Sequence, residues 1–299
     1  MTGSGPFRRT TLHFDRADAP ANVGGVTLEF TKMNGAGNDF VLLDNRSGDL
    51  RLTREQVARL CHRQRGIGAD GLLLLEPARS DRADWAWTFY NSDGSDAEMC
   101  GNGARCFARF VQRLTGARDR LSFETLAGVI EAEFDGALVT VNLTPPRDLK
   151  LGRTLDLPAG PLEVHSVNTG VPHAVVFVAD VEQIPVSETG AAIRRHPAFA
   201  PAGTNVNFVQ ILAPGQIRVR TYERGVEAET LACGTGVTAA ALITALREDI
   251  APPVRVRVQG GDLLEVRFER EGDRFSRVRL KGPAEFVFTG RIDLEPAVS

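Results

Sequence analysis

The sequence predicts an α/β (α+β) fold of two pseudo-symmetric lobes, each a curled, largely antiparallel β-sheet or barrel around a central α-helix. Three features carry that prediction: short β-rich runs along most of the chain, a helix that is apolar on nearly every face, and a similar segment repeated in each half. A helix without a polar face is normally surrounded by protein, and where most of the chain is strand the simplest surroundings are a curled sheet.

Residues 1 to 26 mix charges and turn formers without the apolar stretch of an export signal, and read as a flexible tail. Strands are expected at Val26 to Met33, Phe40 to Asn45, Gly71 to Glu76, Trp85 to Tyr90, Leu121 to Phe134 and Ala137 to Leu143, where β-branched and aromatic residues partly alternate with polar ones. The second half continues with Leu162 to Val167, Ala174 to Val178, Asn205 to Leu212, Ile217 to Tyr222, Val254 to Val258, Leu263 to Glu269 and Arg274 to Leu280. Glu271-Gly272-Asp273 reads as a hairpin turn between the last two. One helix should start at Thr53, with Gln56 completing a capping box, and run to about Arg65. A second starts near Cys100 with Phe107, Phe110, Val111 and Leu114 at helical spacing, and a third starts near Cys233 with the apolar run VTAAALITAL.

The repeat pairs YNSDGSDAEMCGNGARCFARFV with YERGVEAETLACGTGVTAAALI, and GNDFVLL with NVNFVQI is a second pair of candidate counterparts. The break Thr144-Pro145-Pro146 is the natural boundary between an N-terminal lobe of residues 27–145 and a C-terminal lobe of residues 146–281, with a cleft between them. A chain of 299 residues is long enough for two cores of ordinary size. A hydrophobic content of 42% and a charged content of 24% fit a globular protein and disfavour disorder. A net charge of -3 argues against nucleic acid or anionic membrane as partner. No run of about 18 apolar residues occurs, so no transmembrane helix is expected. Lys32, Lys150 and Lys281 are the only lysines, which disfavours a pyridoxal phosphate Schiff base. Cys61, Cys100, Cys106 and Cys233 match no CxxC spacing, so neither a metal nor a redox motif is expected, and a cytoplasmic location would keep them reduced.

Cys-Gly-x-Gly at a helix start has a physical meaning. The free N–H groups of the first turn and the positive end of the helix dipole stabilise a thiolate, and the same groups can hold a carboxylate. Gly101, Gly103, Gly234 and Gly236 remove side chains that would keep a ligand from this backbone. A lone cysteine at such a place is usually a small core residue, but two in matching positions of a repeat point to chemistry. Inverting a carbon that bears one hydrogen needs a base on one face and an acid on the other. Two opposed thiols supply both and exchange roles for the reverse reaction, with the carbanion stabilised by the helix starts and no cofactor required.

The segments TKMNGAGNDFVLLDNR, GIGADGLLLLEP, FYNSDGSDAEMCGNGARCFARF, VPHAVVFV, TNVNFVQI and RTYERGVEAETLACGTG, in this order between about Leu28 and Leu294, resemble the diaminopimelate epimerase family. The resemblance implies interconversion of LL- and meso-2,6-diaminopimelate, a diamino dicarboxylate, on the way to lysine and peptidoglycan. It also implies a homodimer and a last strand, at about residues 282–295, that returns to the first lobe. Carried over residue by residue, it makes Cys100 and Cys233 the acid/base pair, with His173 and Glu223 beside them. Substrate contacts carried over are Asn38, Asn91, Gly101, Asn102, Asn205, Glu223, Arg224, Gly234 and Thr235. Amides, an acid and an arginine suit a far end bearing one ammonium and one carboxylate.

The chain departs from the common family pattern at Asn34 (often histidine), Gly71 (glutamine in some members), Val171 (often a substrate-binding asparagine) and Phe288 (a tyrosine associated with dimerisation). With valine at 171, Asn168 or a backbone amide is the expected substitute for distal recognition. The rival readings are a proline or hydroxyproline racemase of the same design, a phenazine-type isomerase, which the two cysteines disfavour, and a non-enzymatic amino-acid-binding module. A redox protein is the remaining class.

Overall fold

The computed structural model describes residues 26–294; the expected N-terminal tail lies outside them except for Val26, which opens a strand. The N-terminal half contains β1 (Val26–Gly35), β2 (Asn38–Asp44), α1 (Arg54–Cys61), β3 (Gly71–Pro77), β4 (Trp85–Asn91), α2 (Gly101–Thr115), β5 (Arg120–Thr125), β6 (Gly128–Asp135) and β7 (Leu138–Asn142). The second half contains β8 (Arg147–Leu157), β9 (Gly160–Asn168), β10 (Pro172–Phe177), α3 (Val186–Arg194), β11 (Asn205–Ala213), β12 (Gln216–Glu223), β13 (Ala228–Thr230), α4 (Gly234–Arg247), β14 (Val254–Arg257), β15 (Leu263–Glu271), β16 (Arg274–Pro283) and β17 (Glu285–Leu294).

Strand pairing shows the repeat. In the first half β1–β2 is antiparallel, β2–β3 parallel, β3–β4 antiparallel, β4–β5 parallel, and β5–β6–β7 antiparallel. In the second half β9–β10, β10–β11, β11–β12, β12–β14 and β14–β15–β16 follow in the same senses and the same order. Each set is flanked by one further antiparallel strand, β17 on β1 and β8 on β9. Pairing of β7 with β16 joins the two sets into one sheet network. β17, the last strand, therefore pairs with β1, the first.

A parallel pair needs a crossover, and helices supply them. α1 bridges β2 to β3, α3 bridges β10 to β11, α2 bridges β4 to β5, and α4 lies between β12 and β14. α3 is thus the counterpart of α1, an element the sequence reading missed because its apolar stripe is short. The same pairing order corrects the second proposed repeat: GNDFVLL forms β2, whose counterpart is β10 with His173, whereas NVNFVQI in β11 matches β3.

Two boundaries also differ. α1 ends at Cys61 rather than near Arg65, because the N–H groups of Gly66 and Gly68 fold back onto the carbonyls of His62 and Leu60. Its predicted capping box is present, with Thr53 accepting from Gln56 and Gln56 accepting from Thr53. The run Leu121 to Phe134 is two strands, broken where Gly128 takes φ +117°, a value that favours glycine. β8 was missed because most of its residues are exposed, so it carries no apolar alternation.

α2 buries Phe107 and Val111 among β1, β2, β3, β5, β6 and β7, and α4 is buried from Gly234 to Ala245 against β9 to β12 and β14 to β16. Aromatic rings at Trp87, Phe89, Phe107 and Phe123 fill the first of these cores, with Phe107 and Phe123 centroids 4.7 Å apart. Among the described residues no helix is long and apolar enough to cross a membrane.

Candidate active site

Each central helix begins in the same way. Cys100 is the N-cap of α2 and Cys233 the N-cap of α4, both with extended backbone, so each sulfur sits beside the unpaired N–H groups of a first turn. Cys100 Sγ accepts from Gly103 N–H at 3.4 Å, and Cys233 Sγ lies 3.5 Å from the Thr235 hydroxyl. The two helix starts abut: a Cβ built on Gly234 would lie 3.3 Å from Gly101 Cα. The tight fit is on the Gly234 side, where a Cβ would also press on Asn102 Oδ1 at 3.2 Å, whereas a Cβ on Gly101 would meet Leu280 Cδ2 at 3.0 Å and Gly234 Cα only at 3.6 Å.

Between them opens a cavity of about 510 Å³, lined by both cysteines and by every catalytic or substrate-contact residue carried over from the family resemblance except His173. Those lining residues are Asn38, Asn91, Gly101, Asn102, Asn205, Glu223, Arg224, Gly234 and Thr235. Asp70, Ser92, Val171, Thr230 and Leu231 also contribute. Asn168 does not line the cavity, and its side-chain oxygen accepts from Gly170 N–H, so it does not take the place of an amide at 171. Asn34 is likewise outside it, capping Gly37 N–H. Phe288 is about half exposed on β17 and packs edge-on against Phe30 at 5.8 Å.

A line of polar groups backs each thiol. On one side Cys100 Sγ donates to Asn38 Oδ1 at 3.5 Å, and Asn38 Nδ2 donates to Asp70 Oδ2 at 2.5 Å. Asp70 and Asp39 share Arg63, and Asp39 also pairs with the buried Lys32 at 2.7 Å. Burial alone would raise the Asp39 carboxyl, but the hydrogen bonds from Arg63 and Lys32 hold it down to about 2.

On the other side Asn207 Oδ1 accepts from the Thr221 hydroxyl, which turns Asn207 Nδ2 toward His173 Nδ1 at 3.2 Å. His173 then carries its proton on Nε2 and donates to Thr235 Oγ1 at 2.9 Å, leaving the threonine hydroxyl hydrogen for Cys233 Sγ. Burial, reinforced by Arg224, pushes the His173 pKa down to about 3, so the ring is neutral at physiological pH. His173 therefore reaches the cavity only through Thr235. Asn207 was not singled out beforehand, although its spacing of two from Asn205 puts both on one face of β11.

Burial dominates the electrostatics of the thiols, contrary to the expectation of a lowered pKa at a helix start. It pushes Cys100 up to about 11; the Gly103 and Asn102 N–H groups and Arg105 pull it down, and Glu223 adds to the rise. Burial and Glu223 push Cys233 up as well, against Thr235 and Gly236 N–H. Burial also pushes Glu223 up to about 7, although the Thr230 hydroxyl donates to it at 3.0 Å. Arg224 donates its backbone N–H to Asn205 Oδ1 at 2.8 Å and Nη1 to Ala202 O at 3.2 Å, which fixes it beside Glu223 at the cavity edge. Among the described residues no group of three His, Cys, Asp or Glu side chains is arranged to hold a metal ion.

The family model described as "Diaminopimelate epimerase" matches residues 30–148 and 165–287. The diaminopimelate epimerase of Aquifex aeolicus is 44% identical over 279 residues, covering 90% of this chain and 99% of that protein. That of Chlorobaculum tepidum is 45% identical over 268 residues, covering 88% and 100%. Among solved structures, a probable proline racemase from Agrobacterium radiobacter superposes with a TM-score of 0.71 at 18% identity, covering 90% of this chain and 94% of that one. A Bacillus anthracis phenazine biosynthesis protein superposes with a TM-score of 0.67 at 15% identity, covering 89% and 99%. At these identities the structural likeness concerns the fold.

Proposed function

Since the chain belongs to the diaminopimelate epimerase family and is an isomerase, we propose that it interconverts LL- and meso-2,6-diaminopimelate with Cys100 and Cys233 as the acid/base pair and without a cofactor. The observation that carries this reading is that two thiols, each the N-cap of its own helix, line one cavity where the two helix starts touch. One thiolate removes the α-proton and the other thiol delivers a proton to the opposite face, so the carbon inverts and the pair ends with its roles exchanged. First-turn N–H groups of both helices hold the α-carboxylate as it gains charge.

In the free protein both thiols are held in the neutral form by burial, so the substrate's own α-ammonium is the natural source of the positive charge that releases one proton. His173 acts through Thr235 by keeping that hydroxyl turned toward Cys233. The far end of the substrate meets Glu223 with its ammonium and Arg224 with its carboxylate, the asparagines completing the polar wall. Val171 leaves part of that wall apolar. We assign the lobes to residues 27–145 with the returning β17, and 146–281. A cytoplasmic homodimer is part of the same reading, for which the exposed Phe286, Val287 and Phe288 on β17 are the supporting surface.

Incubation with LL- or meso-diaminopimelate in D2O tests the assignment. The α-proton signal should wash out while the two isomers equilibrate. Retention of the α-proton would leave a binding module, and inversion of proline instead would move the chain to the racemases.

Glu223 adds a pH dependence. With a pKa near 7 it is neutral below that pH and anionic above, so kcat/KM for diaminopimelate should fall as pH drops through about 7, with a slope of one proton. Glu223→Gln should lose this acid limb along with most of the affinity. An acid limb that survives in the glutamine variant would assign it to another group.

A further inference from the structure

Arg105, five residues after Cys100 and one turn into α2, is completely buried, yet among the described residues it forms no ion pair. A buried guanidinium without a carboxylate is costly, and arginine is almost never fully buried unless paired. Its N–H groups go to three oxygens: Pro283 O at 3.2 Å, Gly101 O at 3.1 Å and Asn102 Oδ1 at 2.9 Å. The fold makes room for it at Gly282, where a Cβ would come within 3.1 Å of Arg105 Nε.

Two of these acceptors lead to the thiols. The Gly101 carbonyl belongs to the peptide whose N–H is that of Asn102, a first-turn N–H that pulls the Cys100 pKa down. A cation on the carbonyl polarises that peptide and strengthens the N–H as a donor. Asn102, held by Arg105 through its oxygen, donates Nδ2 to Ala232 O at 3.2 Å, the carbonyl of the peptide leading into Cys233.

We propose that Arg105 is a positioning residue that keeps an unneutralised positive charge beneath both helix starts, where it stabilises the anionic centre formed when a thiol ionises and the substrate's α-carbon gives up its proton. This rests on the two-thiol reading above. The titratable groups whose fields reach Arg105 are Cys106, Cys100 and Asp262. Of these only Asp262 is a carboxylate, and it makes no ion pair with Arg105. Burial lowers the guanidinium pKa from a starting value so high that arginine stays charged in proteins.

The test is the alkylation rate of Cys100 by iodoacetamide at pH 8, read by peptide mass spectrometry on the full chain without substrate. In Arg105→Met the rate should fall about tenfold, the change expected for a rise of one pKa unit. Arg105→Lys should recover part of it. A purely structural role would lower the melting temperature without moving this rate. Should Arg105→Met fail to fold, Asn102→Asp puts a carboxylate on the guanidinium without emptying the space, and the same slowing is expected. An unchanged rate in either folded variant overturns the proposal. Because no diaminopimelate is present, the outcome is independent of the substrate assignment, which the D2O experiment tests separately.

Discussion

Cys100→Ser and Cys233→Ser are each expected to lower diaminopimelate epimerisation by about three orders of magnitude or more. A positioned acid or base contributes about 10²- to 10⁴-fold, and a serine hydroxyl is a far poorer acid than a thiol while filling nearly the same space. Cys233 is buried and Cys100 half-buried, each capping its helix, so the exchange should leave the fold intact. Chiral chromatography of the diaminopimelate isomers gives the rate, and circular dichroism checks the fold. The two variants should also differ in kind: each keeps one proton-transfer group, so each should exchange the α-proton of one isomer faster than that of the other while inverting neither at an appreciable rate. Inversion at the wild-type rate by either folded variant would remove the two-thiol mechanism.

Phe107→Ala is expected to destabilise the protein by about 3 to 5 kcal/mol, the range for deleting a fully buried aromatic side chain. Phe107 has no exposed surface, and its ring lies 4.7 Å from Phe123 and 5.6 Å from Trp87 between centroids. Those neighbours belong to strands that wrap α2, so a cavity there loosens the helix that presents Cys100 at its start. Urea unfolding followed by circular dichroism measures the loss. A change below about 1 kcal/mol would mean that the surrounding rings collapse into the space, and that the aromatic cluster is not what holds α2 in place.

How far the site could be read in advance depended on the range of the signal. Thr53 with Gln56, and the two Cys-Gly-x-Gly helix starts, are local patterns, and both appear where expected. α3 and β8 escaped because one has a short apolar stripe and the other is mostly exposed, so periodicity had little to register. The repeat placed both thiols at matching helix starts, as the structure has them, yet it matched GNDFVLL with the wrong strand, since seven residues of similar composition do not encode which strand they pair with. Asn207 carried a weak signal in its alternation with Asn205. Arg105 carried none: an arginine on a helix is ordinarily a solvated one.

Residue order alone was enough for the presence of two thiols at matching helix starts, the glycines beside them and the two-lobed plan, because caps, turns and periodicity act over a few neighbouring residues. Packing decided the rest. Asn38 meets Cys100 across 62 positions, and His173 meets Thr235 across another 62. Burial, which belongs to no single residue, raises the thiols that a helix start would otherwise have lowered. Desolvation and contacts between distant segments are sums over the whole folded chain, so they come into being only when its two halves close on one cavity.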